Sequence, residues 1–152
     1  LLRLKFQMEQ LILKFYLYQG RNLSSIFTKI LEGELPCHKI DENDDCFAFL
    51  DINPNSRGHT LCIIKKEIDY IFDLSSEDYQ KLMNFSRKIA IALKKSVNCK
   101  RIALSVVGLE VPHVHVHLIP LESMSDMNFG RSIKLDDNEF KSLVEKIKSN
   151  LK

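Results

Sequence analysis

The stretch His113-Val114-His115-Val116-His117-Leu118-Ile119, closed by Pro120, decides how this chain is to be read. Strict alternation of apolar and polar residues is the signature of a β-strand with one buried face, since successive side chains of a strand point to opposite sides. The two valines therefore turn to a core and the three imidazoles line the other face. A single histidine in a sheet is commonly a packing residue with its hydrogen bonds satisfied, but three in register would each need a partner. The histidine face is thus read as chemistry.

Two chemistries suit such a row. Residues two apart on a strand are roughly 7 Å apart and residues four apart roughly 13 Å, whereas zinc–nitrogen bonds are about 2.1 Å, so one ion cannot take all three. A pair could chelate with His59 or an acid completing the shell, as in a metallohydrolase, yet the segment itself lacks the Asp, Glu or Cys that hydrolytic zinc sites usually supply. Neutral imidazoles spaced along one face fit a row of phosphates better, one acting as nucleophile or base and its neighbours donating hydrogen bonds to oxygens that gain charge.

Working outward, Ile102 to Val107 reads as a second strand, joined to the first by Gly108 to Pro112. Before it, Ser75 and Asp78 resemble a capping box opening a helix to about Lys95, with Tyr79, Leu82, Met83, Ile89, Ala90 and Leu93 as its apolar face and Lys94 and Lys95 at its C-terminal dipole. Cys46 to Ile52 and Thr60 to Ile64 read as strands of a hairpin closed by the turn-rich Asn53-Pro54-Asn55-Ser56-Arg57-Gly58. Ser24 or Ser25 caps a short helix carrying Ile26, Phe27, Ile30 and Leu31, with Gly33 as its stop. A last helix starts near Asp136, with Glu139 three residues on and Phe140, Leu143, Val144 and Ile147 at helical spacing. Consecutive strands with one long helix inserted predict an α+β fold: a mainly antiparallel sheet of about five strands, one long helix and a C-terminal helix.

The chain has 152 residues, of which 45% are hydrophobic and 28% charged, as expected of one globular domain. Residues 24–152 are assigned to it, and residues 1–23 to an N-terminal extension in which Leu4, Met8, Leu11, Ile12 and Phe15 follow helical spacing. Lys+Arg of 22 against Asp+Glu of 20 leaves a net charge of +2, which argues against a nucleic-acid partner. No segment approaches the roughly 18 apolar residues that span a bilayer, and Leu11 to Tyr18 lacks the order of a secretory leader. Cys37, Cys46, Cys62 and Cys99 are widely spaced without a C-x-x-C pair, which suits a reducing cytoplasm.

The histidine run also resembles the signature of the histidine triad (HIT) nucleotide hydrolases and transferases, in which three histidines alternate with apolar residues. Ser25 to Pro36 is similar to that family's opening helix and turn, Phe49-Leu50-Asp51-Ile52-Asn53-Pro54 to its first nucleotide-binding strand, and Gly58-His59-Thr60-Leu61 with Ile63, Ile64 and Lys65 to the strand carrying a fourth histidine. The resemblance covers about residues 25–120 and is nearest to the bacterial Hint-like branch. It implies that His115 attacks the α-phosphorus of a nucleotide, giving a nucleotidyl-histidine that water cleaves. It further implies that His113 orients the nucleophile and that His117 and His59 contact phosphate oxygens and leaving group. Asp51 would take the ribose hydroxyls, and Ile26, Phe27, Ile30, Phe49, Ile52 and Leu61 would line an apolar cleft for the base. On residue type alone, Asp51 also suits a hairpin cap, and the six apolar residues suit plain core. An adenine nucleotide as substrate, no cofactor and a homodimer follow from the same likeness, with a nucleotide-binding module of little turnover as the alternative.

Two departures matter. Many bacterial members carry C-x-x-C where this chain has Ser25-Ile26-Phe27-Thr28, so no structural zinc is expected. The loop before the triad is short, with Leu109 and Glu110 where polar phosphate contacts would fall; Glu110 either positions a histidine or a metal-bound phosphate, or faces solvent. The leaving group is not encoded in these spacings.

Overall fold

A computed structural model describes residues 24–151; the extension at 1–23 lies outside the described residues. Five strands form one sheet: β1 (Lys39–Glu42), β2 (Cys46–Leu50), β3 (Thr60–Ile64), β4 (Arg101–Ser105) and β5 (His115–Leu121). Their order is β1-β2-β3-β5-β4, with every neighbouring pair antiparallel. The helices are α1 (Ile26–Leu31), α2 (Ser76–Ser96) and α3 (Asp137–Ser149). This is the expected α+β architecture.

Register carries the alternation of β5 across the sheet. Leu61 pairs with His117 and Ile63 with His115, while Phe49 pairs with Leu61 and Phe47 with Ile63. Paired residues share a face, so aromatic, aliphatic and imidazole side chains line one side. Ala48, Leu50, Cys62, Ile64, Val116 and Leu118 line the other, packed with α2 and α3 in a single core. Leu82, Ile89, Leu93 and Ile147 are fully buried there, and sequestering each such side chain stabilises the fold by about 1.5–3 kcal/mol.

Several local expectations are met. Ser75 Oγ accepts from the Asp78 N–H at 3.1 Å and caps α2. Asp136 and Glu139 form a reciprocal capping box at α3, and Phe140, Leu143, Val144 and Ile147 are buried. Ser25, rather than Ser24, caps α1.

Other expectations need correcting. On α2 the expected Leu82, Ile89 and Leu93 are buried and Met83 and Ala90 pack against the same core, whereas Tyr79 is 40% exposed; Phe85 and Ala92 extend the buried row. β1 was not foreseen, its Lys-Ile-Asp-Glu offering one apolar residue, Ile40, which is 2% exposed. β2 ends at Leu50, so Asp51 and Ile52 belong to the following turn. β5 begins at His115, leaving His113 ahead of the strand, and runs through Pro120. Proline is tolerated there because the pairing with β3 stops at Leu118, so the missing N–H faces no ladder partner on that side.

Gly58 fixes the end of the β2–β3 turn and hence the place of His59. Its φ is +92°, and an added Cβ would lie 3.0 Å from Val97 Cγ1 and 3.1 Å from Leu93 Cδ1. Gly58→Ala is expected to lower stability by about 1–3 kcal/mol through backbone strain and crowding; thermal unfolding checks this, and an unchanged melting temperature would refute it.

Candidate functional site

The histidine face is assembled by β5, by the residue that follows the β2–β3 turn, and by α1 lying across the sheet. His59, His113, His115 and His117 are all buried, the most exposed being His117 at 8%. His115 and His117 have ring centroids 4.8 Å apart and His59 and His117 5.2 Å apart. The four histidines singled out in the sequence are thus brought together, while His38 lies elsewhere, stacked on Phe140 with centroids 4.5 Å apart.

Hydrogen bonds assign the protons. His115 Nδ1 lies 2.7 Å from the carbonyl oxygen of His113; a carbonyl only accepts, so Nδ1 carries the hydrogen and Nε2 keeps a free lone pair. The Asn55 backbone N–H donates to His59 Nδ1 at 3.1 Å, which puts the hydrogen of His59 on Nε2. That hydrogen points to His117 Nδ1 at 3.0 Å, leaving His117 to carry its own hydrogen on Nε2. His113 Nε2 donates to the Ile64 carbonyl at 2.6 Å, and its Nδ1 accepts from the Ser25 hydroxyl at 2.8 Å. The outcome is a free acceptor on His115 beside a free donor on His117.

These assignments require neutral rings, and burial provides that. Loss of hydration pushes all four imidazoles below their ordinary value of 6.5. His117 is pushed down to about 3, first by burial and then by the neighbouring His115 and His59. Desolvation penalises the charged form of each. The unfolded chain takes up protons near pH 6.5 that the folded protein resists, so stability is highest above that pH and is lost progressively as pH falls, down to about 3 for His117. Chemical denaturation at pH 7.5 and pH 5 (roughly one decade of pH either side of the ordinary histidine value) is expected to show this loss, with a shallower slope for His117→Gln; identical slopes would refute the depressed acidity.

Asp51 serves two partners. Its Oδ1 accepts from the Asn53 N–H at 2.8 Å, closing the turn, while its Oδ2 stands 3.8 Å from His59 Nε2. Asp51, His59 and His117 offer ligand atoms within 4.8 Å of one another. This potential metal set contains one strand histidine rather than two, and a metal there would have to displace the hydrogen already shared between His59 and His117.

The apolar residues separate. Phe27, Phe49 and Leu61 are buried in one cluster that Ile26 and Ile30 pack against. The Phe27 ring stands edge-on to His115 at 5.0 Å and to Phe49 at 5.6 Å. Ile52 is 51% exposed in the turn after β2 and lies outside that cluster; it sits past the strand end, where alternation no longer directs it inward. Phe47 and Ile63 join the cluster instead, a consequence of the same period-2 pattern that could have identified them. Leu109 is 89% exposed and Glu110 is also exposed, so neither closes over the histidines.

Three contributors had no clear signal. Asn55 anchors His59 and donates from Nδ2 to the Asp126 carbonyl at 3.0 Å. Phe129 places its ring 4.9 Å from that of His117 and 6.4 Å from that of His59. Ser25 reads as a helix cap in sequence, and its second role toward His113 appears only in three dimensions.

A sheet with this order and its histidines on the strand between β3 and β4 defines a class, and residues 32–124 match the HIT domain family model. The chain belongs to that family. It is 33% identical over 135 residues to an uncharacterized HIT-like protein of Borreliella burgdorferi, covering 83% of this chain and 97% of that one. It is 33% identical over 134 residues to the adenosine 5'-monophosphoramidase of Schizosaccharomyces pombe, covering 86% and 100%. Among solved structures it is similar to a HIT-like protein of Bartonella henselae, with a TM-score of 0.74 and 29% identity over 87% of this chain and 99% of that one.

Proposed function

We propose that this chain is a nucleotide hydrolase or transferase. It cleaves at the α-phosphate of a nucleoside phosphoramidate, dinucleoside polyphosphate or related adenylated compound through a nucleotidyl-histidine on His115. The observation that carries this reading is the proton arrangement: an unprotonated Nε2 on His115 beside an Nε2–H on His117. The activity named for the fission-yeast relative is consistent with it.

In the first step His115 Nε2 attacks the α-phosphorus as the bond to the leaving nitrogen or oxygen breaks. The leaving atom takes the Nε2 proton of His117. His59, donating to His117 Nδ1, stabilises the charge this leaves, and the phosphorylated His115 ring is the matching cation. In the second step water attacks phosphorus, returns a proton to His117 Nε2 and releases the nucleotide, so the ring protons are restored. His113 holds His115 by its carbonyl. Asp51 accepts from ribose hydroxyls, and Phe27, Phe49 and Leu61, with Ile26, Ile30 and the half-exposed Ile52, take the base. General acid–base assistance of this kind is worth about 10²–10⁴-fold.

Adenosine 5'-phosphoramidate is the test substrate: AMP release together with an adenylated His115, trapped by alkaline quench and located by mass spectrometry, supports the reading. Nucleotide binding with neither product nor adduct would favour a binding module and overturn it. The reading places the protein in the cytoplasm without a cofactor or structural metal; none of the described helices is long and apolar enough to cross a membrane. It also implies a homodimer. The edge strand β4, with Leu104 46% exposed, is suited to join two sheets.

A further inference from the structure

The hydroxyl of Ser25 has more to do than cap a helix. As an N-cap it needs only a lone pair, which accepts from the Thr28 N–H at 3.1 Å. Its hydrogen is left over. The neighbouring Thr28 Oγ1, 3.2 Å away, needs no donor from it: that hydroxyl is itself a donor to the Glu67 carboxylate, which also accepts from the Ser25 backbone N–H at 3.2 Å. The His113 ring, its Nε2 hydrogen committed to Ile64, presents a bare Nδ1 2.8 Å from Ser25 Oγ. Every hydrogen in the group then has one destination. Ser25 is 6% exposed and His113 fully buried, so neither can substitute water freely for the other.

From this we infer that Ser25 is a positioning residue for the nucleophile, acting through His113 and held in place by Thr28 and Glu67. The network joins the start of α1, the residues after β3 and the approach to β5, three segments remote in sequence. Its far end is the His113 carbonyl, the group that keeps the hydrogen of His115 on Nδ1 and the lone pair on Nε2. With the Ser25 hydroxyl gone, His113 Nδ1 is buried without a donor, the ring has reason to turn or change tautomer, and the carbonyl of the same residue moves with it. The proposal rests on His115 being the nucleophile.

Capping and donation are separable by substitution. Glycine caps a helix nearly as well as serine but has no hydroxyl; threonine supplies both lone pair and hydrogen. Ser25→Gly is expected to lower kcat by about 10- to 100-fold, as misplacement of a reacting group does, with KM for adenosine 5'-phosphoramidate within about twofold because the base cluster is untouched. Ser25→Thr is expected to restore most of kcat. Nitrogen-15 NMR of the histidine rings is the second readout: His115 is expected to show a single Nδ1–H tautomer in the wild type and a tautomer mixture in Ser25→Gly. Wild-type kcat in Ser25→Gly, or a loss of kcat that threonine does not rescue and that leaves the His115 resonances unmoved, overturns the inference. Absence of AMP release from the wild type would instead refute the functional reading, and the ring resonances alone would then decide whether Ser25 orders His113 and His115.

Discussion

His115→Ala is expected to abolish AMP release from adenosine 5'-phosphoramidate, by on the order of 10⁴-fold or more in kcat, while the melting temperature changes little. In the proposed reaction, removing the ring deletes the atom that forms the covalent bond, and no other imidazole offers a substitute. His113 has both nitrogens engaged, with Ser25 and Ile64. His117 presents a hydrogen rather than a lone pair, because its Nδ1 already accepts from His59. Fold loss is not expected, because the His115 ring faces Phe27 on the histidine side while the main core is built on the opposite face of the sheet. Quantifying AMP by chromatography and folding by circular dichroism separates the two effects. Turnover persisting at a tenth of the wild-type rate or more would show that another group is the nucleophile.

The second large effect concerns proton delivery. His117→Ala is expected to lower kcat by about 10²–10⁴-fold for a poor leaving group such as an alkylamine, and by much less for one that departs without protonation, such as a nitrophenolate. His59→Ala should fall in the same direction but less far, since His59 acts on the leaving group only by donating to His117 Nδ1. If the two rings work as one unit, the double variant will be little worse than His117→Ala alone, because the partner of a group already lost has nothing left to support. Steady-state kinetics on the four proteins closes this cycle. Additive losses would show that His59 acts on substrate independently, for example through Asp51, whose carboxylate stands 3.8 Å away.

Much of the site was legible because alternation is a local property of extended backbone. From His113 to Ile119 the sequence alone specified which side chains share a face, and the valines are found in the core with the histidines opposite. The capping residues Ser75, Asp136 and Glu139 were equally readable, since a cap hydrogen-bonds within its own first turn. Local rules did not mark where elements stop. Ile52 lies past the end of β2 and is half exposed, and His113 precedes β5 yet keeps its ring on the histidine side, 5.8 Å from that of Phe27. Helical spacing also found most of the α2 face, missing Phe85 and Ala92 and including Tyr79, which is exposed.

What the sequence by itself determined, then, was the kind of fold, the identity of the candidate side chains and the face on which three of them lie. The tertiary structure decided how they are arranged. Placing β5 between β3 and β4 brought His59 to His117, and the packing of α1 brought Ser25 to His113. Those meetings join residues 58 and 88 positions apart. Side-chain direction follows from backbone geometry that neighbours in sequence share, whereas the proton on an imidazole is assigned by whichever carbonyl, amide or hydroxyl the fold brings to its two nitrogens.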